Sequence, residues 1–235
     1  MAKRAWLLLP AVVVLVVATL PAALVAPRLG LPNGVTQIRG TVWSGSAEWR
    51  QAGWQPLALS WRWRGGRDWH WQASGGQTAL AGRWRVGPKP VLPQVSGRLE
   101  LERLDLVHWL GVARPVGSLQ LDLADVVFAP GAAPRAHGSA RWRQAGLAGA
   151  IQESLGEIEI DIEQAADGLK LRVRSLHPAA VQVRGAVALT GARYEADLWL
   201  RAASGRPRLI AALAEVGELQ PDGQVRLRVS GRTGL

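Results

Sequence analysis

An uninterrupted apolar stretch near the start of the chain constrains the fold more than any other feature. The 20 residues Leu7–Ala26 contain no charged side chain. A helix of that length rises roughly 30 Å, which is the thickness of the hydrocarbon core of a bilayer. Lys3 and Arg4 precede the stretch, and basic residues before a span stay on the cytoplasmic side. The sequence therefore predicts a short cytoplasmic N-terminus (residues 1–6), one transmembrane anchor (residues 7–26) and export of everything that follows.

Two other interpretations of this stretch remain open. A cleaved signal peptide also begins with basic residues, although its apolar region is usually about 7 to 15 residues long. Cleavage would then follow Ala18 or Ala23. A buried helix of a soluble protein is the other alternative, which the length of the stretch and its basic flank disfavour.

The rest of the chain is long enough for one sizeable exported domain. Residues 27–34 hold two prolines and two glycines, a composition typical of a linker. Residues 35–235 form the predicted domain, with two halves of about 35–130 and 131–235. The 235-residue sequence contains no cysteine, which excludes a disulfide framework, a thiolate metal site and a cysteine nucleophile. The domain must therefore be stabilised by ordinary burial of apolar side chains.

The positive charge is large but dispersed. The formal net charge is +10, and Lys3, Lys89 and Lys170 are the only lysines, so nearly all the positive side chains are arginines. They alternate with apolar residues instead of forming a block, which favours the solvated faces of strands over a dedicated binding patch. Export excludes nucleic acid as a partner. Anionic lipid head groups beside the anchor are the alternative partner for these arginines.

From residue 37 onward the apolar residues recur at every second position, as in half-buried strands. The clearest early hairpin places large side chains on one face of two strands, with Gly65 and Gly66 opening the turn. These side chains are Leu57, Leu59, Trp61 and Trp63 on the first strand, and Trp69 and Trp71 on the second. The tryptophans are interpreted as sheet core, with a groove for an apolar ligand as the open alternative.

A second hairpin is predicted in the segment EIEIDIEQAADGLKLRVR. Ile158, Ile160 and Ile162 face the core and alternate with four acidic residues. A type I′ turn at Asp167-Gly168 would place Glu163 opposite Arg172, Asp161 opposite Arg174 and Ile162 opposite Val173. The acidic residues are therefore predicted to form exposed ion pairs and not a catalytic carboxylate cluster.

One amphipathic helix is predicted outside the anchor, over residues 206–217. It would bury Leu209, Ile210, Leu213 and Val216 and stop at Gly217. A shorter helical turn is expected around Asp105–Leu110. After each helix the same arrangement of glycine, five residues, glycine and alternating strand recurs. The predicted fold is therefore mainly β with short helices, a transmembrane helix followed by a curved antiparallel sheet built from two related strand-strand-helix-strand units.

No catalytic, cofactor-binding or metal-binding constellation is found in the sequence. The four histidines, His70, His108, His137 and His177, are far apart and lack the spacing of metal sites. Phosphate-binding loops, dinucleotide fingerprints and nucleophile elbows are absent as well. The sequence predicts a protein that is not an enzyme.

The order of these elements resembles a known family. An N-terminal anchor precedes the strand GTVWSGSA at Gly40–Ala47 and a tryptophan-rich hairpin, and the chain closes with LAEVGELQPDGQVRLRVSG at Leu213–Gly231. This arrangement is similar to the type II secretion system protein N family, also called general secretion pathway protein N. The C-terminal glycine pattern also occurs in the wider AsmA-like group of anchored β-rich proteins.

The resemblance implies an accessory subunit of the bacterial inner membrane, single-pass, with its C-terminal domain in the periplasm. Such a subunit serves the export of folded proteins across the outer membrane, and other secretion-system subunits are its expected partners. The AsmA-like features imply an alternative, a lipid-binding or lipid-transfer module. The resemblance implies no catalytic residue and no cofactor.

Overall fold

The chain folds into one antiparallel sheet of 14 strands. The computed structural model describes residues 18–26, 34–50, 55–87, 91–103, 113–127, 135–149, 153–191 and 193–232. The strands are β1 (Val35–Gly40), β2 (Ser44–Trp49), β3 (Leu57–Gly65), β4 (Asp68–Gly75), β5 (Thr78–Arg85), β6 (Val91–Glu100), β7 (Ala113–Val127), β8 (Arg135–Gly149), β9 (Glu153–Ala165), β10 (Gly168–Ser175), β11 (Val181–Thr190), β12 (Arg193–Ala202), β13 (Glu218–Leu219) and β14 (Val225–Arg232). Each strand pairs with the next as far as β12, which pairs with β14, and β13 lies outside β14. The prediction of a mainly β, antiparallel fold is confirmed.

The helical segments in the described residues are short. They are α1 (Ala22–Val25), a 3₁₀ helix (Leu101–Arg103) and α2 (Pro207–Val216). Pro207 starts α2. Proline suits this position because the first N–H groups of a helix have no partner within the helix, so none is lost. The helix stops before Gly217 as predicted. Leu209 and Leu213 are buried. Val216 is 46% exposed, so its predicted burial is wrong, because it lies in the last turn, where the chain leaves the helix.

The predicted transmembrane anchor lies mostly outside the described residues, which begin at position 18. Within the part of the chain that the structure describes, no helix is long and apolar enough to cross a membrane. The predicted helical turn at residues 105–110 also lies outside the described residues. Both remain predictions.

The alternation of side chains gives the sheet one apolar face. A single row of facing residues crosses the strands from β2 to β14 and is made almost entirely of apolar side chains and glycines. The row is Gly45, Trp61, Trp71, Gly82, Val95, Leu123, Gly138, Ile162, Leu171, Val187, Ala196 and Val229. The glycines beside tryptophans make room for them, since a Cβ on Gly82 would lie 2.8 Å from the ring of Trp71.

Two groups of buried residues form the core on this face. Near the C-terminal end, Leu209 and Leu213 of α2 pack with Ile158, Val183 and Val225. The second group lies further along the sheet and contains no residue of α2; its buried members are Val95, Val126, Ala136 and Leu169. The helix therefore covers only part of the apolar face.

The sheet is curved where its C-terminal half begins. Strands β9 and β11 are separated by β10, yet Cα atoms of the two approach within 8 Å, and the same holds for β8 and β10. In a flat sheet, two strands separated by a third would lie about 9.6 Å apart. The shorter distances therefore indicate that the sheet bends at these strands. The register of β8 with its two neighbours shifts between Trp142 and Gly146 and at Gly117 of β7, and such bulges increase bending and twist.

The β9–β10 hairpin differs in register from its prediction. Ala165 pairs with Gly168, so the two turn residues are Ala166 and Asp167 instead of Asp167 and Gly168. Glu163 therefore lies opposite Lys170 and Asp161 opposite Arg172. The physical reason is packing against β11, because a Cβ on Gly168 would lie 1.8 Å from the carbonyl oxygen of Leu189. The pairing moves by two residues, so every side chain keeps its predicted face.

The two predicted units belong to one continuous sheet. Strands β7 and β8 pair from Ala113–Gly149 to Val127–Arg135, and this pairing joins the halves. A helical segment interrupts the succession of hairpins once in each half, the 3₁₀ helix between β6 and β7, and α2 between β12 and β13. The repeat of two related units remains a prediction.

Candidate interaction surfaces

The face opposite the apolar one carries a row of arginines. Facing residues in successive strands from β6 to β14 are Arg98, Gln120, Arg141, Glu159, Arg174, Arg184, Trp199 and Arg226. Its five arginines are here called the arginine row: Arg98, Arg141, Arg174, Arg184 and Arg226. At the usual interstrand spacing this row extends roughly 34 Å along the sheet.

Carboxylates neutralise the arginine row only in part. Glu159 is bonded to the guanidinium of Arg174 and lies 3.6 Å from Nη2 of Arg141. The hydrogen bond from Arg174 lowers the pKa of Glu159. Arg98 and Arg184 form no ion pair with any residue that the structure describes. The row therefore keeps positive charge for an external anion.

Trp199 lies between two arginines at the C-terminal end of the row. The guanidinium carbons of Arg226 and Arg184 are 5.0 and 5.9 Å from the centre of its indole ring, both within the range of cation–π attraction. Arg226 also donates two hydrogen bonds to Asp197, at 2.8 and 2.5 Å, and these lower the pKa of Asp197. Arg184 donates to Oε1 of the buried Gln224 at 3.1 Å.

A cavity of about 280 Å³ opens beside this arrangement. Three arginines and a histidine line it, and none of its described lining residues is acidic; the charged members are Arg174, Arg184, Arg201 and His177. Arginine presents planar donors that match a carboxylate or phosphate in two hydrogen bonds. The cavity therefore suits an anionic group.

A second cavity on the same face, of about 750 Å³, has a mixed lining. Its charged residues are Asp167, Lys170, Glu195, Asp197 and Arg228. Ala186 and Ala188 form its floor, opposite Arg172 and Lys170 in the β10–β11 register. Because both signs of charge are present, the cavity indicates no particular ligand.

Four tryptophans gather at the opposite end of the sheet, around the β1–β2 turn. This tryptophan cluster consists of Trp43, Trp63, Trp69 and Trp84. Ring centres lie 5.1 Å apart for Trp43–Trp63 and 6.3 Å apart for Trp43–Trp69 and Trp69–Trp84. The indole of Trp69 donates to the carbonyl of Val42 at 3.0 Å. Trp63 is 41% exposed, so the cluster is open to solvent on one side.

The histidines singled out in the sequence are not brought together. His137 lies 3.9 Å from Asp125, and His177 lies 3.7 Å from Glu157, while His70 faces Arg62 and Arg83. His108 lies outside the described residues. Across the described ranges, no three histidine or acidic side chains stand close enough together to hold a metal ion.

Comparison with known proteins assigns the chain to a family. The family model for protein N of the type II secretion system matches residues 33–228, which include β1–β13 and the first four residues of β14. The chain belongs to the type II secretion system protein N family. The same comparisons find no matching curated protein and no matching solved structure.

The match confirms the predicted resemblance of this chain to the protein N family. Membership in the protein N family supports an accessory role in type II secretion and protein transport, with other secretion-system subunits as partners. The arginine row and the tryptophan cluster both lie within the matched residues. The sequence of this protein N family member does not reveal the row by itself, because its five arginines lie on five different strands and only the register aligns them.

Proposed function

We propose that this chain is a membrane-anchored accessory subunit of the type II secretion machinery, whose β-rich domain docks other subunits. The family match over residues 33–228 carries the proposal. In this proposal, the apolar stretch that begins at Leu7 spans the inner membrane once, and residues 35–235 lie in the periplasm. The basic residues before the apolar stretch support that orientation.

The arginine row is the proposed docking surface. Arg98 and Arg184 have no carboxylate partner in the described residues, and the cavity between Arg174 and Trp199 is lined by cationic side chains. An acidic segment of another subunit would place carboxylates on these guanidinium groups. Such contacts act over a short range at physiological salt, which suits a partner that is already held in the same assembly.

The open edges of the sheet are the second proposed contact. On one side β1 has no further strand in the described residues. On the other, β13 pairs only with Val225 and Arg226, so the rest of β14 has a free edge in the described part of the chain. Unpaired backbone groups of an edge strand can accept an extended segment of a partner.

The proposal is tested by export in a strain that lacks the gene. Export should fail in the deletion strain, with the secreted protein retained in the periplasm, and the full chain should restore it. Normal export in the deletion strain would contradict the proposal. Protease added outside spheroplasts should digest the domain beyond residue 28, and protection of that domain would contradict the proposed orientation.

A charge-reversal pair tests the docking surface separately. Arg98→Glu combined with Arg184→Glu should reduce export because it reverses two unpaired charges of the row. The matched control is Arg193→Glu with Arg232→Glu, two exposed arginines that face each other at the other end of β12 and β14. If both pairs restore export equally, the arginine row is not the docking surface.

The apolar face favours a second candidate function, binding of lipid. Large apolar side chains on this face remain partly exposed beyond the area covered by α2; they are Trp71, Leu92, Leu123, Ile162, Leu171 and Leu189. A curved sheet with such a face can hold acyl chains. Mass spectrometry of the purified full chain would find co-purified phospholipid if this function holds. A chain that carries no lipid after gentle extraction would exclude it.

A further inference from the structure

The last part of the predicted anchor is bound to the sheet. The N–H of Val42 donates to the carbonyl of Leu20 at 3.1 Å, and Pro21 forms a bridge with Thr41. Ala22 and Ala26 are buried. Residues 20–26 therefore belong to the folded domain and cannot also lie inside a bilayer.

This attachment shortens the part of the apolar stretch that can span a bilayer. At most 13 residues of the predicted anchor, Leu7–Thr19, remain before Leu20. A helix of that length would rise roughly 20 Å, whereas the hydrocarbon core measures about 30 Å. A short span is accommodated by local thinning of the bilayer or by drawing the flanking residues into the interface. The end of the domain at Thr41 is then pulled against the head groups.

That end of the domain carries the tryptophan cluster. Trp61 and Trp69 donate their indole N–H groups to the carbonyls of Thr41 and Val42, at 3.1 and 3.0 Å, so they hold the loop to which Leu20 is bonded. Trp43 packs on Trp63 and Trp69. Tryptophan is enriched at the boundary between acyl chains and head groups, where its apolar ring and polar N–H are both satisfied.

The strands around the cluster are strongly basic. Residues 57–87 contain five arginines and one acidic residue, and that residue, Asp68, is already paired with Arg85 at 2.9 Å. Arg62, Arg64 and Arg67 are exposed and form no ion pair with a described residue. Guanidinium groups beside an apolar anchor attract the phosphates of anionic lipids.

We propose that the tryptophan cluster and Arg62, Arg64 and Arg67 form a seat on an anionic phospholipid surface, with the rings in the head-group layer. This inference rests on the proposed membrane anchoring and adds to it how the domain is held. The seat fixes the tilt of the sheet, because the β1–β5 end is held at the membrane and the strands beyond it are free to meet other subunits.

The full chain, which contains no native cysteine, allows the seat to be tested with single introduced cysteines. Val86→Cys reports from the cluster end, since the N–H of Val86 bonds to the carbonyl of Arg67. Gln77→Cys is the matched control in the turn at the other end of β4 and β5, about 31 Å away at 3.4 Å per residue. Each variant carries a nitrobenzoxadiazole label and is reconstituted in vesicles of phosphatidylcholine and phosphatidylglycerol at 7:3.

Lipids with a spin label near the head group should quench the Val86 label at least twofold more than the Gln77 label. Aqueous iodide should show the reverse order. Equal iodide quenching at the two positions would overturn the inference. Lipid quenching at Val86 should fall in vesicles of phosphatidylcholine alone. It should also fall in the triple variant Arg62→Gln, Arg64→Gln and Arg67→Gln. Unchanged quenching would show that these arginines do not contact the lipid.

Flotation of the same vesicles separates this inference from the proposed function. If the chain floats with the lipid while its Val86 label remains in water, the result supports the proposed anchor and contradicts the proposed seat. A chain that does not float contradicts the anchor itself and the seat with it.

Discussion

Arg226 lies directly opposite Trp199 in the β12–β14 register, with its guanidinium carbon 5.0 Å from the centre of the indole ring. The same guanidinium binds both carboxylate oxygens of Asp197, two residues before Trp199. One side chain therefore fixes an aromatic ring and an acid on the neighbouring strand. This contact also holds β14, whose other edge is paired, among the described residues, only at Val225 and Arg226.

Replacing Arg226 with lysine should lower the melting temperature and change the tryptophan emission. An ammonium group cannot form the paired hydrogen bonds or the planar stacking of a guanidinium. Arg232→Lys is the control, because Arg232 is an exposed arginine on the same strand. Equal melting temperatures for the two variants would show that the geometry at Trp199 contributes nothing to stability.

Acid should destabilise the fold through four carboxyl groups with lowered pKa values. Hydrogen bonds from Arg85, Arg174 and Arg226 lower the pKa values of Asp68, Glu159 and Asp197, and the backbone N–H of Gln224 lowers that of Asp222. The unfolded chain then binds more protons than the folded one, so stability rises with pH.

The contribution of these groups is complete above their unfolded pKa values, about 3.9 for Asp and 4.3 for Glu, and disappears as pH falls through the lower folded values. Urea midpoints measured from pH 7 to pH 2.5 should stay level and then fall below about pH 4.5. Glu159→Gln should flatten that fall, because the amide does not titrate. An identical profile for this variant would contradict the role given to Glu159.

Gly168→Ala should destabilise the β9–β10–β11 region by about 1–3 kcal/mol, the usual cost of overpacking. A Cβ at this position would lie 1.8 Å from the carbonyl oxygen of Leu189, so the two strands would have to separate. Gly191→Asn is the control, since its φ of 57° suits asparagine and a Cβ there meets no described atom within 4 Å. Chemical denaturation measures both, and equal losses would contradict the close approach.

Ile158→Ala should cost about 2–5 kcal/mol, the range found for large-to-small changes in a packed core. Ile158 is 2% exposed and belongs to the group of buried residues under α2. Leu219→Ala, at a position 53% exposed on β13, should change the free energy of unfolding by less than about 0.5 kcal/mol. A small effect at Ile158 would mean that the helix does not close a core over this part of the sheet.

The fold class follows from local patterns in the sequence. Alternation of apolar and polar residues in Glu157–Glu163 and in Leu57–Trp63 predicts the correct faces, because a strand has a period of two. Local patterns determine the position of a turn less well than the faces of the strands. Asp167-Gly168 has the composition of a type I′ turn, yet Gly168 is needed beside Leu189, a residue 21 positions later that local pattern cannot include.

The arginine row shows why the interaction surface could not be predicted. Arg98 and Arg226 lie 128 positions apart, and their alignment depends on the register of every hairpin between them. An error of two residues, like that at the β9–β10 turn, would place Leu176 opposite Glu159 in place of Arg174. The sequence does not reveal the attachment of Leu20 to Val42 for another reason: residues 7–26 contain no charged side chain, and nothing in them marks where the predicted membrane segment ends and the domain begins.

The succession of hairpins has a consequence for how the protein is made. From β1 to β12 each strand finds its partner in the segment synthesised immediately before it, so every new pairing closes a short loop. A polypeptide that is synthesised from its N-terminus can add strands in order of arrival, without waiting for distant segments. Only β14 must pass α2 to reach β12, and this last docking step should therefore be the slowest event in the maturation of the domain.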